Sequence, residues 1–135
     1  MTKTDYVLGF HFRDRNTVAL IRKKRPEWQA GKLNGIGGKV EKGEAPLLAM
    51  RREFFEETGA RVRKWRNFAL VSGLEYRLHC FTASGDELLK TTTDEEVIWA
   101  NLLDPKAWEQ MIPNLNWLIP LAGDKDAPFA VVAAK

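Results

Sequence analysis

The sequence predicts a single α/β domain in which helices cover both faces of a mixed β-sheet. Alternating apolar patterns typical of strands occur before and after one central amphipathic helix, and a second helical pattern lies near the C-terminus. A chain of 135 residues is long enough for one ordinary hydrophobic core and too short for two. We therefore expect residues 1–135 to form one α/β/α sandwich.

The strands are predicted from their alternation and from the turns between them. Residues 5–13 and 17–24 flank Asp14-Arg15-Asn16, which is typical of a tight turn, so they predict a hairpin. Residues 34–40 follow as a short strand whose glycines let a ligand approach the backbone closely. Further strands are predicted at 61–72, 75–83, 95–102 and 129–133, and further helices from Pro105 and over 113–122.

The central helix is predicted to run from Pro46 to Thr58. Proline suits the first turn of a helix, and Gly59 suits the left-handed position just past its end. One apolar stripe and a second apolar flank predict burial of most of the helix surface. The stripe contains Leu47, Met50 and Phe54, and the flank contains Leu48 and Phe55.

The remaining face of this helix is strongly charged. Arg52, Glu53, Glu56 and Glu57 project into one arc, and Ala49 on the same face would leave room for a ligand. Glu53 and Glu57 form a like-charge i,i+4 pair that costs about 0.2–0.5 kcal/mol, and the helix dipole disfavours anions at this end. A hard divalent cation such as Mg²⁺ would reverse both penalties. The alternative is an ordinary solvated charged face.

The spacing of these residues matches a known motif. Residues 38–60 resemble the Nudix box, with apolar Phe54 and Ala60 where the family usually has branched aliphatic residues. The matching positions are Gly38, Glu44, Arg52-Glu53, Glu56-Glu57 and Gly59. The resemblance implies the same α/β/α fold and the metal-dependent hydrolysis of a nucleoside diphosphate-linked substrate.

The resemblance also implies roles for individual residues. The carboxylates of Glu53, Glu56 and Glu57 would hold Mg²⁺, for which Mn²⁺ could substitute. The Gly38 carbonyl would be a further ligand, Arg52 would orient the carboxylates, and Glu44 would support the loop before the helix. One more acidic ligand is expected from residues 94–96, and we favour Glu96.

The substrate residues are predicted from a shorter resemblance. Residues 33–40 are similar to the strand that leads into the box in MutT-type enzymes, which clear oxidised purine nucleoside triphosphates. We expect Asn34 and Asn114 to read the base, because an amide offers both a donor and an acceptor. The acidic residues that this branch carries near Asn114 are absent.

Three more residues are candidates for substrate contacts. Lys24 and Lys39 suit phosphate binding, and Trp28 could stack on a base; the alternatives are solvated lysines and an indole that anchors its loop. Tyr76, sixteen residues past the box, resembles diadenosine polyphosphate hydrolases, which gives a second substrate class. A nucleotide-binding module without activity is a third hypothesis, although such modules usually lack box glutamates that are present here.

Composition limits the partners and the compartment. A net charge of +3 and a pI near 9.1 favour anionic partners, and a small phosphorylated molecule explains them without a stable nucleic-acid partner. No apolar run approaches the roughly 18 residues of a membrane span, so we expect a cytoplasmic monomer or homodimer. The lone Cys80 excludes an intrachain disulfide, and His11 and His79 lack metal-ligand spacing.

Overall fold

The predicted mixed sheet is present in the computed structural model, which describes residues 2–134. The strands within these residues are β1 (Thr4–Asp14), β2 (Thr17–Arg22), β3 (Leu33–Asn34), β4 (Ile36–Lys39), β5 (Arg66–Ser72), β6 (Tyr76–Ser84), β7 (Val97–Asn101) and β8 (Ala130–Ala133). The helices are α1 (Pro46–Thr58), α2 (Pro105–Glu109) and α3 (Leu115–Gly123). A short 3-10 turn occupies Glu27–Gln29.

The longest strand, β1, organises the sheet. Along one edge it pairs in parallel with β6, from Thr4 opposite Tyr76 to Phe12 opposite Ser84. It also pairs antiparallel with β4 and with β2, which confirms the predicted hairpin. The sheet continues outward through β3 and β7 on β2, through β5 on β6, and ends at β8, which is parallel to β5.

Helices cover both faces of this sheet, as predicted. Side chains alternate along a strand, so Leu8, Phe10 and Phe12 of β1 enter the core formed with α2 and α3. Val7 belongs to the second core, where α1 packs through Met50 and Phe54. The chain is therefore an α/β/α sandwich with one hydrophobic core on each side of the sheet.

Glycines allow α1 and β4 to lie very close to β1. A Cβ atom on Gly9 would lie 2.5 Å from Met50 Cε, and one on Gly37 would lie 1.9 Å from the Val7 carbonyl oxygen. Both distances are shorter than a non-bonded contact allows. Gly9 therefore lets α1 pack closely on β1, and Gly37 lets β4 pair closely with β1.

Two local predictions were wrong. Residues 61–65 are not part of a strand: Trp65 is buried beneath α1 and its indole N–H donates to the Val62 carbonyl at 2.9 Å, which curls the backbone away from the sheet. The second apolar flank of α1 stays exposed, with Leu48 at 51% and Phe55 at 38%, and the Arg61 guanidinium lies over the Phe55 ring.

The three helices are all short. Among residues 2–134, no helix has the length and apolar character needed to cross a membrane.

Candidate active site on helix α1

Helix α1 has the predicted bounds and presents its acidic residues on one side. Pro46 occupies the first turn, and Gly59, with a φ of 75°, donates its N–H to the Phe55 carbonyl and ends the helix. Ala49 is fully buried in the core, so the expected space for a ligand at that position is absent. The space lies instead beside Gly38, at the edge of β4.

Arg52 connects the start of the box to its glutamates. Its Nε and Nη2 donate to the two carboxylate oxygens of Glu44 at 2.8 and 3.0 Å, and Nη2 also donates to the Lys39 carbonyl at 3.1 Å. Nη1 donates to Glu53 at 2.9 Å and approaches Glu56 at 3.4 Å. The hydrogen bonds to Glu44 raise the Arg52 pKa far above its usual range, so the Arg52 guanidinium is permanently positive.

Glu53 lies directly against the backbone of Gly38. A Cβ atom on Gly38 would lie 2.5 Å from Glu53 Oε1 and 2.6 Å from Oε2. The Glu53 side chain is only 14% exposed, and this burial raises its pKa in spite of the Arg52 partner. A carboxylate and a peptide backbone, both proposed as metal ligands, thus adjoin at the end of β4.

Glu57 is half-buried one turn further along α1. Its Oε2 accepts a hydrogen bond from the Thr93 hydroxyl at 3.0 Å. Burial raises the pKa of Glu57, and the negative charge of Glu95 raises it further, while Lys23 acts in the opposite direction. Glu56, between the two, is 53% exposed, and its carbonyl accepts from the Thr92 hydroxyl.

Among residues 94–96, the acidic side chain that interacts with Glu57 is Glu95. Glu95 is 5% exposed and accepts from the backbone N–H groups of Lys24 and Arg25 at 2.6 and 3.3 Å and from Lys23 Nζ at 3.1 Å. Burial would raise its pKa, but these donors outweigh burial and lower it. Glu96 is exposed, and its role as a metal ligand stays a prediction.

The donor set fits a hard cation. Carboxylate and carbonyl oxygens are the ligands that Mg²⁺ and Mn²⁺ accept, and the candidates here contain no sulfur or nitrogen ligand. Within residues 2–134, no three acidic, histidine or cysteine side chains converge closely enough to enclose an ion. Glu44, Glu53 and Glu56 instead accept hydrogen bonds from Arg52.

A cavity of about 480 Å³ adjoins the acidic face through Gly38. It is lined by residues of β1 and β6, of the chain from Lys23 to Gly38, and of the segment just before α3. Its polar and aromatic lining includes Lys23, Trp28, Gln29, Asn34, Tyr76 and Asn114. Its volume falls within the roughly 300–1,000 Å³ typical of small-molecule sites.

Asn34 and Asn114, the two residues predicted to read the base, both line this cavity, but their hydrogen bonding differs. Asn34 Nδ2 donates to Gln29 Oε1 at 2.9 Å, and its Oδ1 accepts from the Gly35 N–H at 2.7 Å, so the amide orientation is fixed. Asn114 Oδ1 is buried and finds no hydrogen-bond partner within the described residues. An unsatisfied buried acceptor on a cavity wall is a ready partner for a ligand donor.

The other predicted substrate residues divide between the cavity and the surface. Trp28 lines the cavity, with 66% of its surface exposed. Lys24 and Lys39 are exposed and do not line it, whereas Lys23 does. Sequence reasoning did not identify Lys23 or Gln29, and the only signal for each was a position next to a residue that was proposed; Glu95 was among the three acidic candidates at 94–96, although Glu96 was favoured.

Known proteins share this fold and this motif. A NUDIX domain profile matches residues 2–118, so the chain belongs to the NUDIX family. It is similar to the 8-oxo-dGTP diphosphatase of Escherichia coli (strain K12), with 34% identity over 76 residues, or 56% of this chain and 57% of that protein. The chain thus matches little more than half the length of this curated relative.

Solved structures agree with the fold. A NUDIX hydrolase from Nitrosomonas europaea superposes with a TM-score of 0.79 at 19% identity, covering 99% of this chain and 81% of that one. A MutT structure described for Aliivibrio salmonicida and Vibrio cholerae gives a TM-score of 0.72 at 24% identity, covering 86% and 92%. At these identities the likeness supports the shared architecture alone.

Proposed function

We propose that this chain is a Mg²⁺-dependent hydrolase that cleaves a purine nucleoside triphosphate between the α and β phosphates, releasing a monophosphate and pyrophosphate. The observation that carries the proposal is the position of Gly38. Its backbone adjoins the Glu53 carboxylate and also lines the cavity that holds Asn34 and Asn114. A base in the cavity would therefore extend its phosphates toward the acidic face of α1.

The residues of the chain have separate tasks in this reaction. Asn34 and Asn114 bind the base edge, Trp28 stacks on the base, and Lys23 neutralises part of the phosphate charge. A bound magnesium ion supplies charge neutralisation on the phosphates and a more acidic water. A box glutamate that does not coordinate the ion accepts the proton as the water oxygen bonds to phosphorus and the bridging P–O bond breaks.

The identity of the base is the finer part of the proposal. The similar E. coli protein is named for 8-oxo-dGTP, and we extend that substrate class to this chain as a hypothesis. The missing acidic residues near Asn114 leave the amides as the base-reading groups. An 8-oxo purine has an additional N–H donor at N7, and Asn114 Oδ1 is an acceptor that has no partner within residues 2–134.

A second candidate substrate is a diadenosine polyphosphate. Tyr76 lines the same cavity as Trp28 and Tyr6, so the site offers more than one aromatic ring for two bases. A binding module without activity is less well supported, because every glutamate of the box is present and Arg52 holds three of them in an ordered network.

The test is a panel of nucleotides assayed with millimolar Mg²⁺ and with excess chelator, with separate detection of phosphate and pyrophosphate. We expect pyrophosphate from a purine triphosphate, and no turnover with chelator. Asn34→Ala should lower the preference for purine over pyrimidine more than it lowers the maximal rate, because a wrong base leaves buried amides unpaired at about 1–3 kcal/mol each.

Asn116→Ala is the matched control, since Asn116 is exposed on α3 and lines no described cavity. Full activity in chelator would refute the metal requirement. A tenfold preference of the wild-type protein for diadenosine tetraphosphate would replace the proposed substrate class, and Tyr76 would then be the residue to vary.

A further inference from the structure

A second cavity lies at the other end of the β1/β6 pair. It has a volume of about 800 Å³ and shares no lining residue with the cavity that Asn34 and Asn114 line. The first cavity is lined by Tyr6 and Leu8 of β1, the second by Phe12 and Asp14. At about 3.3 Å per residue, Leu8 and Phe12 are some 13 Å apart along the strand. The two cavities are therefore separate sites on one strand pair.

The lining of this second cavity, which we call the basic groove, is strongly cationic. Six lysines and arginines face one aspartate, Asp14, so the groove carries five net positive charges where the whole chain carries three. The cations are Arg15, Arg51, Arg63, Lys64, Arg66 and Lys125. The rest of the protein is consequently acidic, and the excess positive charge of the chain is concentrated here.

These cations are available to a ligand. None of the six forms a salt bridge within residues 2–134. Arg51 donates to the Arg63 carbonyl at 2.9 Å, and Arg66 makes a long contact of 3.5 Å to the Ala122 carbonyl. Arg63, Lys64 and Lys125 are exposed. Clustered like charges repel one another, and a bound anion would remove that repulsion.

The shape of the groove favours a small ligand. Phe12, Trp65 and Ala83, each 8% exposed, line the groove as an apolar surface, and the cations surround them. A volume of this size fits a drug-sized molecule, and an apolar surface beneath polar groups is the usual composition of such sites. The groove also lies at the carboxyl ends of the parallel strands β1 and β6, where α/β sheets commonly bind ligands.

We propose that the basic groove binds a small molecule that carries two or more phosphate groups, at a site independent of the acidic face of α1. The phosphates contact the exposed cations, Arg63 and Lys64 foremost, and the body of the molecule covers the apolar surface at Trp65. This inference goes beyond the proposed hydrolysis and does not depend on it.

The experiment measures binding of inorganic tripolyphosphate by calorimetry in a buffer with chelator, where no metal assists binding at α1. Lys64→Glu should weaken the affinity at least tenfold, whereas Lys106→Glu, the same charge change at an exposed site on α2, should change it less than twofold. Thermal melts would verify that both variants fold. Equal losses in the two variants, or no binding by the wild-type protein, would overturn the proposal.

A second readout locates the ligand. The indole N–H of Trp65 lies beneath the groove and that of Trp28 beside the other cavity, so tripolyphosphate should shift the Trp65 resonance in a ¹H–¹⁵N spectrum and leave Trp28 in place. A shift confined to Trp28 would assign binding to the substrate cavity and refute the proposal. Lys64-dependent binding of a single-stranded oligonucleotide without binding of tripolyphosphate would refute the ligand class.

Discussion

The Arg52 guanidinium holds the Glu44 carboxylate through two parallel hydrogen bonds of 2.8 and 3.0 Å, across the turn that precedes α1. The Glu41 N–H donates to the same carboxylate at 3.0 Å, so the loop, the turn and the helix are joined at one point. An arginine and a carboxylate joined by two hydrogen bonds have a fixed relative orientation in addition to paired charges.

The first prediction concerns this pair. Arg52→Lys keeps the charge but cannot make both bonds to Glu44 while also reaching Glu53, so we expect the Mg²⁺ affinity or the turnover to fall about 10- to 100-fold. Glu44→Gln should produce a similar loss, and the double variant should lose less than the product of the two. Arg77→Lys, which disrupts the exposed Arg77–Asp5 pair, serves as the control. If the loss in the double variant equalled the product of the two single losses, Arg52 and Glu44 would act independently, which would contradict the prediction.

Glu57 is the subject of the second prediction. Glu57→Gln should reduce turnover at least 100-fold, because it removes one charge from the proposed metal ligands and preserves their shape. Glu109→Gln on the exposed surface of α2 should have no effect. Near-normal turnover of the Glu57 variant would place the metal elsewhere.

The same variant makes a third prediction, about stability. Burial raises the Glu57 pKa in the folded state, so ionising this group costs stability at every pH above that raised pKa. Without metal at pH 7, Glu57→Gln should therefore melt at a higher temperature than the wild type, and the difference should vanish below about pH 4, where both folded and unfolded forms are protonated. Mg²⁺ should raise the melting temperature of the wild type more than that of the variant. If Mg²⁺ raised the melting temperatures of the wild type and the variant equally, Glu57 would be excluded as a metal ligand.

The fourth prediction follows from Asn114. Its buried Oδ1 has no partner among the residues that the structure describes, and an unsatisfied buried acceptor costs about 1–3 kcal/mol, so Asn114→Leu should increase the free energy of unfolding. It should also reduce base discrimination in the nucleotide panel. Chemical denaturation of Asn114→Leu beside Asn116→Leu separates the buried position from the exposed one. A less stable Asn114→Leu protein with unchanged base preference would remove Asn114 from the site.

The fifth prediction concerns the dependence of stability on pH. His11 is fully buried against Phe54, donates its Nε2–H to the Glu87 carboxylate at 3.0 Å, and has its pKa lowered by burial. Below about pH 6.5, His11 therefore binds a proton more readily in the unfolded chain than in the folded one. The free energy of unfolding falls as the pH drops through this range. His11→Gln, which cannot titrate, should show a flatter melting profile between pH 7 and 5. If the melting temperatures of the wild type and His11→Gln changed in parallel between pH 7 and 5, His11 would not be the group responsible.

The lowered pKa values of Asp5 and Glu95 act in a different range. They add stability that is lost only as the pH falls through the acidic region near 4 and below, so they do not obscure the window assigned to His11.

Local signals predicted α1 and the hairpin well. Pro46 and Gly59 mark the ends of the helix, and the alternation on either side of Asp14-Arg15-Asn16 marks two strands, because each feature depends on neighbouring residues alone. The exposure of Phe55 and the curl at Val62 depend on what α1 packs against, which sequence periodicity does not contain.

At two places the residue found at the site is the sequence neighbour of one that was favoured. Lys23, next to Lys24, lines the cavity, and Glu95, next to Glu96, interacts with Glu57. Both lie just outside a strand, β2 ending at Arg22 and β7 beginning at Val97. Because successive side chains of an extended chain point in opposite directions, the sequence alone does not tell which of two neighbours at a strand end faces the site. The roles of Lys24 and Glu96 stay predictions.

A side chain would have different effects at the neighbouring glycines 37 and 38. A side chain at position 37 would collide with the rigid Val7 backbone, while one at position 38 would meet only the end of the Glu53 side chain, which can rotate away. In a saturation library sorted first for cellular abundance and then for activity, substitutions of Gly37 should disappear at the first sort and many substitutions of Gly38 only at the second. Of these two adjacent glycines, we thus expect Gly37 to be needed for folding and Gly38 for activity.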